Sequence, residues 1–302
     1  MMFCVSASFA PSAYAQVAAA GAILGTVSDP SGAVVPGADV TVTNAATQQT
    51  RTTQSNAQGF YDFESLLAAK YQITIKKVGF ETFVDRDVTV DAGARVQVNA
   101  ALVVGAEATQ IQVQGEAVVV ETASSESGGT IESKQIQDLS LNGRNFQMLA
   151  MLIPGVNNTN GAQEMGGGGL TQNNTISVNG IGTEFTNFLQ DGTFNMNTGC
   201  QCGVNITSPI DTISEFRLVK DNFSAKYPLS GSANIMVETK SGSNDFHGAA
   251  YEYLRNDVFD ARNFFDGSTK APLRQNIYGF TVGGRVIKEQ DLLFSRRGLA
   301  QT

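Results

Sequence analysis

Between Ala22 and Val104 apolar and polar positions alternate in short runs separated by turn residues. Ile23-Leu24-Gly25-Thr26-Val27 is followed by Asp29-Pro30-Ser31-Gly32, and Val40 and Val42 alternate with Asp39, Thr41 and Thr43. Gln58-Gly59 precedes Phe60-Tyr61-Asp62-Phe63, and Tyr71, Ile73 and Ile75 alternate with Gln72, Thr74 and Lys76. Val88 and Val90 follow, then Val96, Val98, Ala100 and Leu102. A period of two puts one face of each strand on a core and the other in water. About six or seven strands of this kind predict a β-sandwich over residues 22–104, with Phe60, Tyr61 and Phe63 in core and edge packing.

The pattern then changes twice. Residues 105–129 read as a linker holding one alternating stretch, Thr109-Gln110-Ile111-Gln112-Val113-Gln114. Residues 130–243 mix helix and strand signals. Ser133 is placed to cap a short helix carrying Ile136 and Leu139, and Asn142 or Asn145 to cap another carrying Phe146, Leu149 and Ile153 before Pro154-Gly155. Asn157 to Thr175, with Gly166 to Gly169, reads as a loop, and Ser208-Pro209 as a helix start with Pro at the first position. Strands are expected at 176–180, 188–192, 213–219 and 233–242. Asp191 and Glu215 read as turn and surface residues. From 245 to 302 two runs alternate: one places His247, Ala249, Tyr251 and Tyr253 on a face, the other Tyr278, Phe280 and Val282. Apolar-out strands with aromatic residues describe a barrel wall, so Tyr251, Tyr253, Tyr278 and Phe280 are expected on one lipid-facing patch. Leu292-Leu293-Phe294-Ser295-Arg296-Arg297 does not read as a clean continuation of the hairpin. The fold class expected is mainly β with short helices: a seven-stranded-type sandwich, an α+β unit, and the first strands of an incomplete β-barrel.

Charge and composition narrow the function. The formal net charge is −8, with 16% charged residues, which argues against nucleic acid as a partner. No run approaches the roughly 18 apolar residues of a membrane helix, so any membrane role falls to strands. Met1 to Phe9 is mostly apolar and Ala13-Tyr14-Ala15 precedes Gln16, a signal-peptide cleavage pattern. The first basic residue is Arg51, so residues 1–15 read as the remnant of a signal peptide; an Ala-rich terminus is the alternative. Cys4 has no lipobox context. Cys200 and Cys202 form a C-x-C pair between glycines, either a loop disulfide or two incidental thiols. One His, at 247, and no clustered carboxylates, triad or metal-ligand set point to a protein that is not an enzyme and carries no cofactor.

Particular segments carry a family resemblance. Gly25-Thr26-Val27-Ser28-Asp29-Pro30-Ser31-Gly32, Val35 to Val42, Gly59-Phe60-Tyr61-Asp62-Phe63 and Lys77-Val78-Gly79-Phe80-Glu81 resemble a carboxypeptidase regulatory-like domain. Leu141-Asn142-Gly143-Arg144-Asn145-Phe146, Ile153-Pro154-Gly155-Val156, Ser177-Val178-Asn179-Gly180, Phe188 to Gly192, Ile213 to Arg217 and Thr239 to Asn244 resemble the plug of Oar-like TonB-dependent outer-membrane transporters. Arg255-Asn256-Asp257 and Pro272 to Asn276 are similar to that family's first barrel loop. Tyr227-Pro228-Leu229-Ser230-Gly231 departs from it, with Pro-Leu where Gly-Arg is usual. The resemblance covers about residues 22–284.

The resemblance implies an outer-membrane location in a Gram-negative-type bacterium, with sandwich and plug on the periplasmic side or in the barrel lumen. It implies a TonB-type energy-coupling partner, outer-membrane lipid, and a transported ligand left open between carbohydrate and peptide. It also implies that the coupling segment lies before the plug, making Thr109, Gln110, Ile111, Gln112 and Val113 the candidate; the last strand of the sandwich, or a spacer strand, is the alternative. A plugged barrel of about 22 strands needs several hundred residues, so the chain is expected to be the N-terminal part of a transporter and inactive in transport alone. An exported carbohydrate-binding or adhesion sandwich is the competing function.

Overall fold

The computed structural model describes residues 20–105, 110–113, 125–139, 141–159, 172–197, 199, 203–224, 227, 231–262, 268–270, 272–287 and 291–301. The candidate signal segment, Thr109, Gly166 to Gly169, Cys200, Cys202 and Ser230 lie outside the described residues.

The first unit is a two-sheet sandwich. Its strands are β1 (Gly21–Ser28), β2 (Asp39–Asn44), β3 (Thr50–Gln54), β4 (Phe60–Leu66), β5 (Ala69–Lys76), β6 (Thr82–Val90), β7 (Arg95–Gln97), β8 (Ala100–Ala101) and β9 (Gln110–Val113). One sheet runs β4-β1-β7 with β8 also on β1; the other runs β3-β2-β5-β6-β9. The alternating residues meet between the sheets: Ile23, Val27, Val40, Val42, Tyr61, Phe63, Ile73, Ile75, Val90, Val96 and Leu102 form one buried core. Tyr61 and Phe63 pack edge to face at 6.2 Å, while Phe60 on the opposite parity is 37% exposed. The Tyr61 hydroxyl donates to the Val98 carbonyl at 2.7 Å, and burial pushes the phenol well above its usual range.

The middle unit is built on a five-stranded sheet. Its elements are β10 (Ser127–Glu132), α1 (Ser133–Asp138), β11 (Val156–Asn158), β12 (Gln172–Asn173), β13 (Ile176–Val178), β14 (Thr186–Gln190), β15 (Thr193–Phe194), β16 (Gly203–Val204), β17 (Ile213–Asp221) and β18 (Ala233–Thr239), with short 3-10 turns between them. The sheet order is β10-β17-β18-β14-β15, and β11-β13 and β12-β16 form separate pairs. Ile131, Ile136, Phe146, Leu149, Phe188, Phe216, Leu218 and Ile235 fill the core on one side of the sheet. β10 starts at Ser127, inside the segment read as linker.

Three local expectations change. α1 begins at Ser133 itself, and its N-cap is Glu132 with no side-chain cap bond; the backbone turns directly from strand into helix, leaving Ser133 no capping geometry. Asn145 does cap, accepting from the Gln147 N–H at 2.9 Å, but the helix it opens is 3-10, over Phe146–Leu152. Pro209 is the N-cap of Ile210–Thr212, not its first residue.

The last unit is a three-stranded antiparallel sheet, β19 (His247–Asn256), β20 (Arg274–Ile287) and β21 (Asp291–Gln301). The irregular run at 292–297 therefore does continue the hairpin, pairing Leu292 with Arg285 and Arg297 with Phe280. The aromatic patch is also corrected. Tyr253 stands opposite Ile277 and Glu252 opposite Tyr278. Opposed residues share a face, so Tyr251 and Tyr253 lie on one side of the sheet and Tyr278 and Phe280 on the other.

Candidate functional site

Two junctions tie the units together. At the first, Arg144 of the Asn142–Arg144 turn donates to Asp211 Oδ1 at 2.7 Å, with both side chains about 15% exposed (15% and 16%). The Tyr253 hydroxyl of β19 donates to the same oxygen at 3.0 Å, and the Arg144 guanidinium sits 3.9 Å above the Tyr253 ring. Lys240 donates to the Asp211 carbonyl at 2.8 Å, and burial holds this ammonium below its ordinary range. An ion pair from Arg144 and a hydrogen bond from Tyr253 thus converge on one aspartate, and a cation–π contact joins the two donors. They fix the inner face of the hairpin to the middle unit. Gln275 and Thr281 on that face are buried, while Leu254, Tyr278, Phe280 and Val282 on the other are exposed, at 62%, 43%, 46% and 42%. The sheet is therefore packed on one side and open on the other, where these four apolar side chains stand with Glu252 among them.

The second junction joins the sandwich to the middle unit. Ala92, in the turn after β6, packs with Leu189, Val219, Tyr227 and Met236. Its N–H donates to Glu215 Oε1 at 2.9 Å. Glu215 is 9% exposed, which corrects its reading as a surface residue: it lies on the face of β17 that the sandwich covers. Burial first and the Asp91 charge second push its carboxyl up to about 7, with the Ala92 N–H and Arg217 opposing. Glu238 of β18 is pushed up to about 8 by burial, Asp191 and Glu215. Asp191 is a turn residue, at φ 48°, and its carboxylate accepts from the Thr239 N–H at 2.8 Å. Away from this corner, Asn244 donates through its side chain to the Thr47 carbonyl at 2.9 Å.

Of the residues singled out for coupling, Gln110, Ile111, Gln112 and Val113 form β9, which adds parallel to β6 with Thr82 opposite Gln110 and Asp85 opposite Val113. Sequence reasoning passed over Asp211, Tyr253 and Glu238 as junction residues. Arg144 was visible only inside a motif, and a lone carboxylate before an apolar run carries no signal of its partner. Among the described residues no group of three or more His, Cys, Asp or Glu is arranged to hold a metal ion, and no helix is long and apolar enough to cross a membrane.

Known proteins align with this layout. Residues 22–103 match the carboxypeptidase regulatory-like domain, and residues 238–295 match an outer membrane beta barrel domain. The TonB-dependent transporter Oar of Myxococcus xanthus is 24% identical over 303 aligned positions, which take in 93% of this chain and 27% of that protein. The chain therefore spans about a quarter of that relative's length. Among solved structures, the siderophore receptor PirA from Acinetobacter baumannii overlays with a TM-score of 0.41 at 19% identity, covering 57% of this chain and 24% of that one. A putative carbohydrate binding protein from Bacteroides uniformis overlays with a TM-score of 0.25 at 9% identity, covering 93% and 98%. With one domain match at the start, a barrel match at the end and a single transporter aligned across both, the chain is similar along nearly its whole length to the Oar-like TonB-dependent receptors of the outer membrane.

Proposed function

We propose that the chain serves in energy-coupled uptake across the outer membrane, as the part of an Oar-like transporter that carries a periplasmic sandwich, the plug and the first strands of the barrel wall. The observation that carries this reading is the two-sided terminal sheet. Its inner face is bound to the middle unit through Arg144, Asp211 and Tyr253, and its outer face presents Leu254, Tyr278, Phe280 and Val282. A barrel strand needs this asymmetry, apolar toward lipid and polar toward a plugged lumen. The middle unit is then the plug, and residues 109–113 the segment offered to a TonB-type partner by strand addition.

These three strands leave two open edges, and unpaired backbone groups in hydrocarbon cost several kcal/mol each. The 302-residue chain alone is accordingly inactive in transport, and uptake requires further strands to close the wall.

Envelope fractionation of a protein in which further strands complete the wall tests the location: that protein should sediment with the outer membrane and need detergent for release. Recovery in the soluble periplasm would overturn the reading. A Gln112→Cys variant should cross-link to a TonB-type protein, whereas cysteine at exposed Thr52 on the far edge of the same sheet should not. Equal cross-linking at both positions would refute the coupling assignment.

A further inference from the structure

Three glutamates stand in one row across the middle sheet. Glu132 of β10 lies opposite Glu215 of β17, and Glu215 lies opposite Glu238 of β18. Opposed residues on neighbouring strands share a face with their Cβ atoms about 4.5–5.5 Å apart, and like charges so placed repel. The sandwich closes over this row with a single turn, Asp91-Ala92-Gly93. Ala92 is buried among Leu189, Val219 and Met236 of the sheet, and its N–H reaches Glu215 at 2.9 Å. Asp91 adds a fourth carboxylate from the sandwich side. Asp191 faces Glu238 from the turn after β14. Arg217 lies on the same strand face but is 3.8 Å from Glu126, both side chains being deeply buried.

We propose that the sandwich is seated on the middle unit by a proton-controlled joint, in which the Asp91-Ala92-Gly93 turn closes over the Glu132–Glu215–Glu238 row and stays closed while the row holds a proton. Glu215 is buried, Glu238 and Asp91 are half-buried and Glu132 stands exposed at the end of the row; one arginine opposes them, so ionisation of Glu215 and Glu238 together works against closure. Burial and Asp91 hold Glu215 at about 7 in the closed form. Once the turn lifts away, the carboxyl faces water and returns toward the ordinary value of about 4.3. The closed form thus binds the proton more tightly than the open one. By linkage, closure is favoured at low pH and weakens as pH rises toward 7, by up to tenfold per pH unit for one proton. A cavity of about 410 Å³ opens beside the joint, between Asp91, Ala94 and Val96 on one side and Glu126, Thr130 and Glu132 on the other, and gives water a route to the row. Separating the units would uncover the sheet face carrying Glu215, Arg217 and Glu238, so the joint controls access to that face. The proposal rests on these contacts and not on the transport reading.

Hydrogen exchange at the Ala92 amide of the full chain tests it, because that N–H bonds across the joint to Glu215. With rates divided by the intrinsic rate at each pH, protection should fall at least tenfold between pH 5.5 and 8.5, while amides in β5 stay constant. Glu215→Gln should keep Ala92 protected throughout, and Asp91→Asn should move the fall to lower pH, since one repelling charge on Glu215 is gone. A flat Ala92 profile in the unaltered chain overturns the proposal, as does an unchanged fall in Glu215→Gln. If Glu215→Gln does not fold, Asp91→Asn decides alone: an unmoved transition overturns it.

Discussion

Gly25 sits where the chain crosses itself most closely, and replacing it with alanine is expected to unfold the sandwich. β1 pairs in parallel with β7 through Leu24 and Gln97, and then with β8 from Val27 and Ala100; between these ladders the Val98 carbonyl passes over Gly25. A Cβ at position 25 would stand 1.8 Å from that oxygen, 2.7 Å from its carbon and 3.0 Å from the Tyr61 hydroxyl. The closest ordinary carbon–oxygen contact is about 3.3 Å, so the crossing segment must retreat by about 1.5 Å. Such a shift breaks the Val98 N–H bond to the Leu24 carbonyl, the Thr26 N–H bond to Asn99 and the Tyr61 hydroxyl bond to Val98. At about 0.5–1.5 kcal/mol each, with about 1–3 kcal/mol for overpacking, the loss is about 3–7 kcal/mol. A domain of this size has about 4–12 kcal/mol in all. The buried core of the sandwich is made of its own residues, Ile23 to Leu102, so residues 20–105 are expected to fold alone. Urea titration of that segment, followed by circular dichroism, should show a cooperative transition in the parent and a much earlier one, or none, in Gly25→Ala. Gly79→Ala is the comparison: Gly79 has φ +86° and nothing near its absent side chain, so only about 1–2 kcal/mol of left-handed backbone cost applies. Gly25→Ala within about 1 kcal/mol of the parent would refute the reasoning.

Three further outcomes are expected. Ser55 is buried, its hydroxyl accepting from the Ala38 N–H at 2.9 Å and donating to the Val35 carbonyl at 2.8 Å; Ser55→Ala strands both groups and should cost about 1–3 kcal/mol in denaturant unfolding, against which a neutral result would count. Glu215 and Glu238 bind protons more tightly folded, at about 7 and 8, than unfolded, so stability of the middle unit should fall as pH rises from about 4.5 to about 8 and then level off. Melting curves should show this slope in the parent and a shallower one in Glu238→Gln; stability rising over that range would contradict the burial of these groups. Phe280→Asp puts a charge on the open apolar face beside Tyr278 and Val282, and co-flotation of the chain with lipid vesicles should drop about tenfold, for about 1.4 kcal/mol; undiminished flotation would mean that this face does not meet lipid.

The sandwich was legible because its information is local. Alternation at Tyr71, Ile73 and Ile75 is enough to say which side of β5 is inward, and all three are buried. The faces of the terminal sheet were not legible, because they depend on register. Pairing Tyr253 with Ile277 places the even-numbered Tyr278 across from Glu252, and a slip of one residue would reverse the result. No single strand holds that parity. Glu215 failed for a related reason: a carboxylate is buried or exposed according to what covers it, and the covering turn at Ala92 is 123 residues away. Arg144 belongs to a recognisable motif, yet its partner Asp211 is 67 residues distant and its aromatic contact belongs to another unit. The helix starts were misread by one position, since Ser133 and Pro209 satisfy composition rules that the strand-to-helix geometry overrides. The candidate coupling segment was recognisable as a strand, and Gln110–Val113 is one.

The position of β1 sets the order in which the first unit can form. It is the earliest strand among the described residues and an inner one of its sheet, flanked by β4 on one side and by β7 and β8 on the other. Its closing partners are Arg95 to Gln97, Ala100 and Ala101, and the last tie is the Leu102 N–H to the Ser28 carbonyl. A chain emerging from its N-terminus must therefore hold β1 unsatisfied along one edge until about eighty residues have followed it. Such distant closure is slow compared with hairpin formation. The second sheet can assemble earlier, since β2–β3 and β5–β6 are short antiparallel hairpins and β5 reaches β2 before β7 and β8 have followed. Passage through a narrow export channel would find the leading strand still without its partners, and completion of the sandwich would fall to the far side.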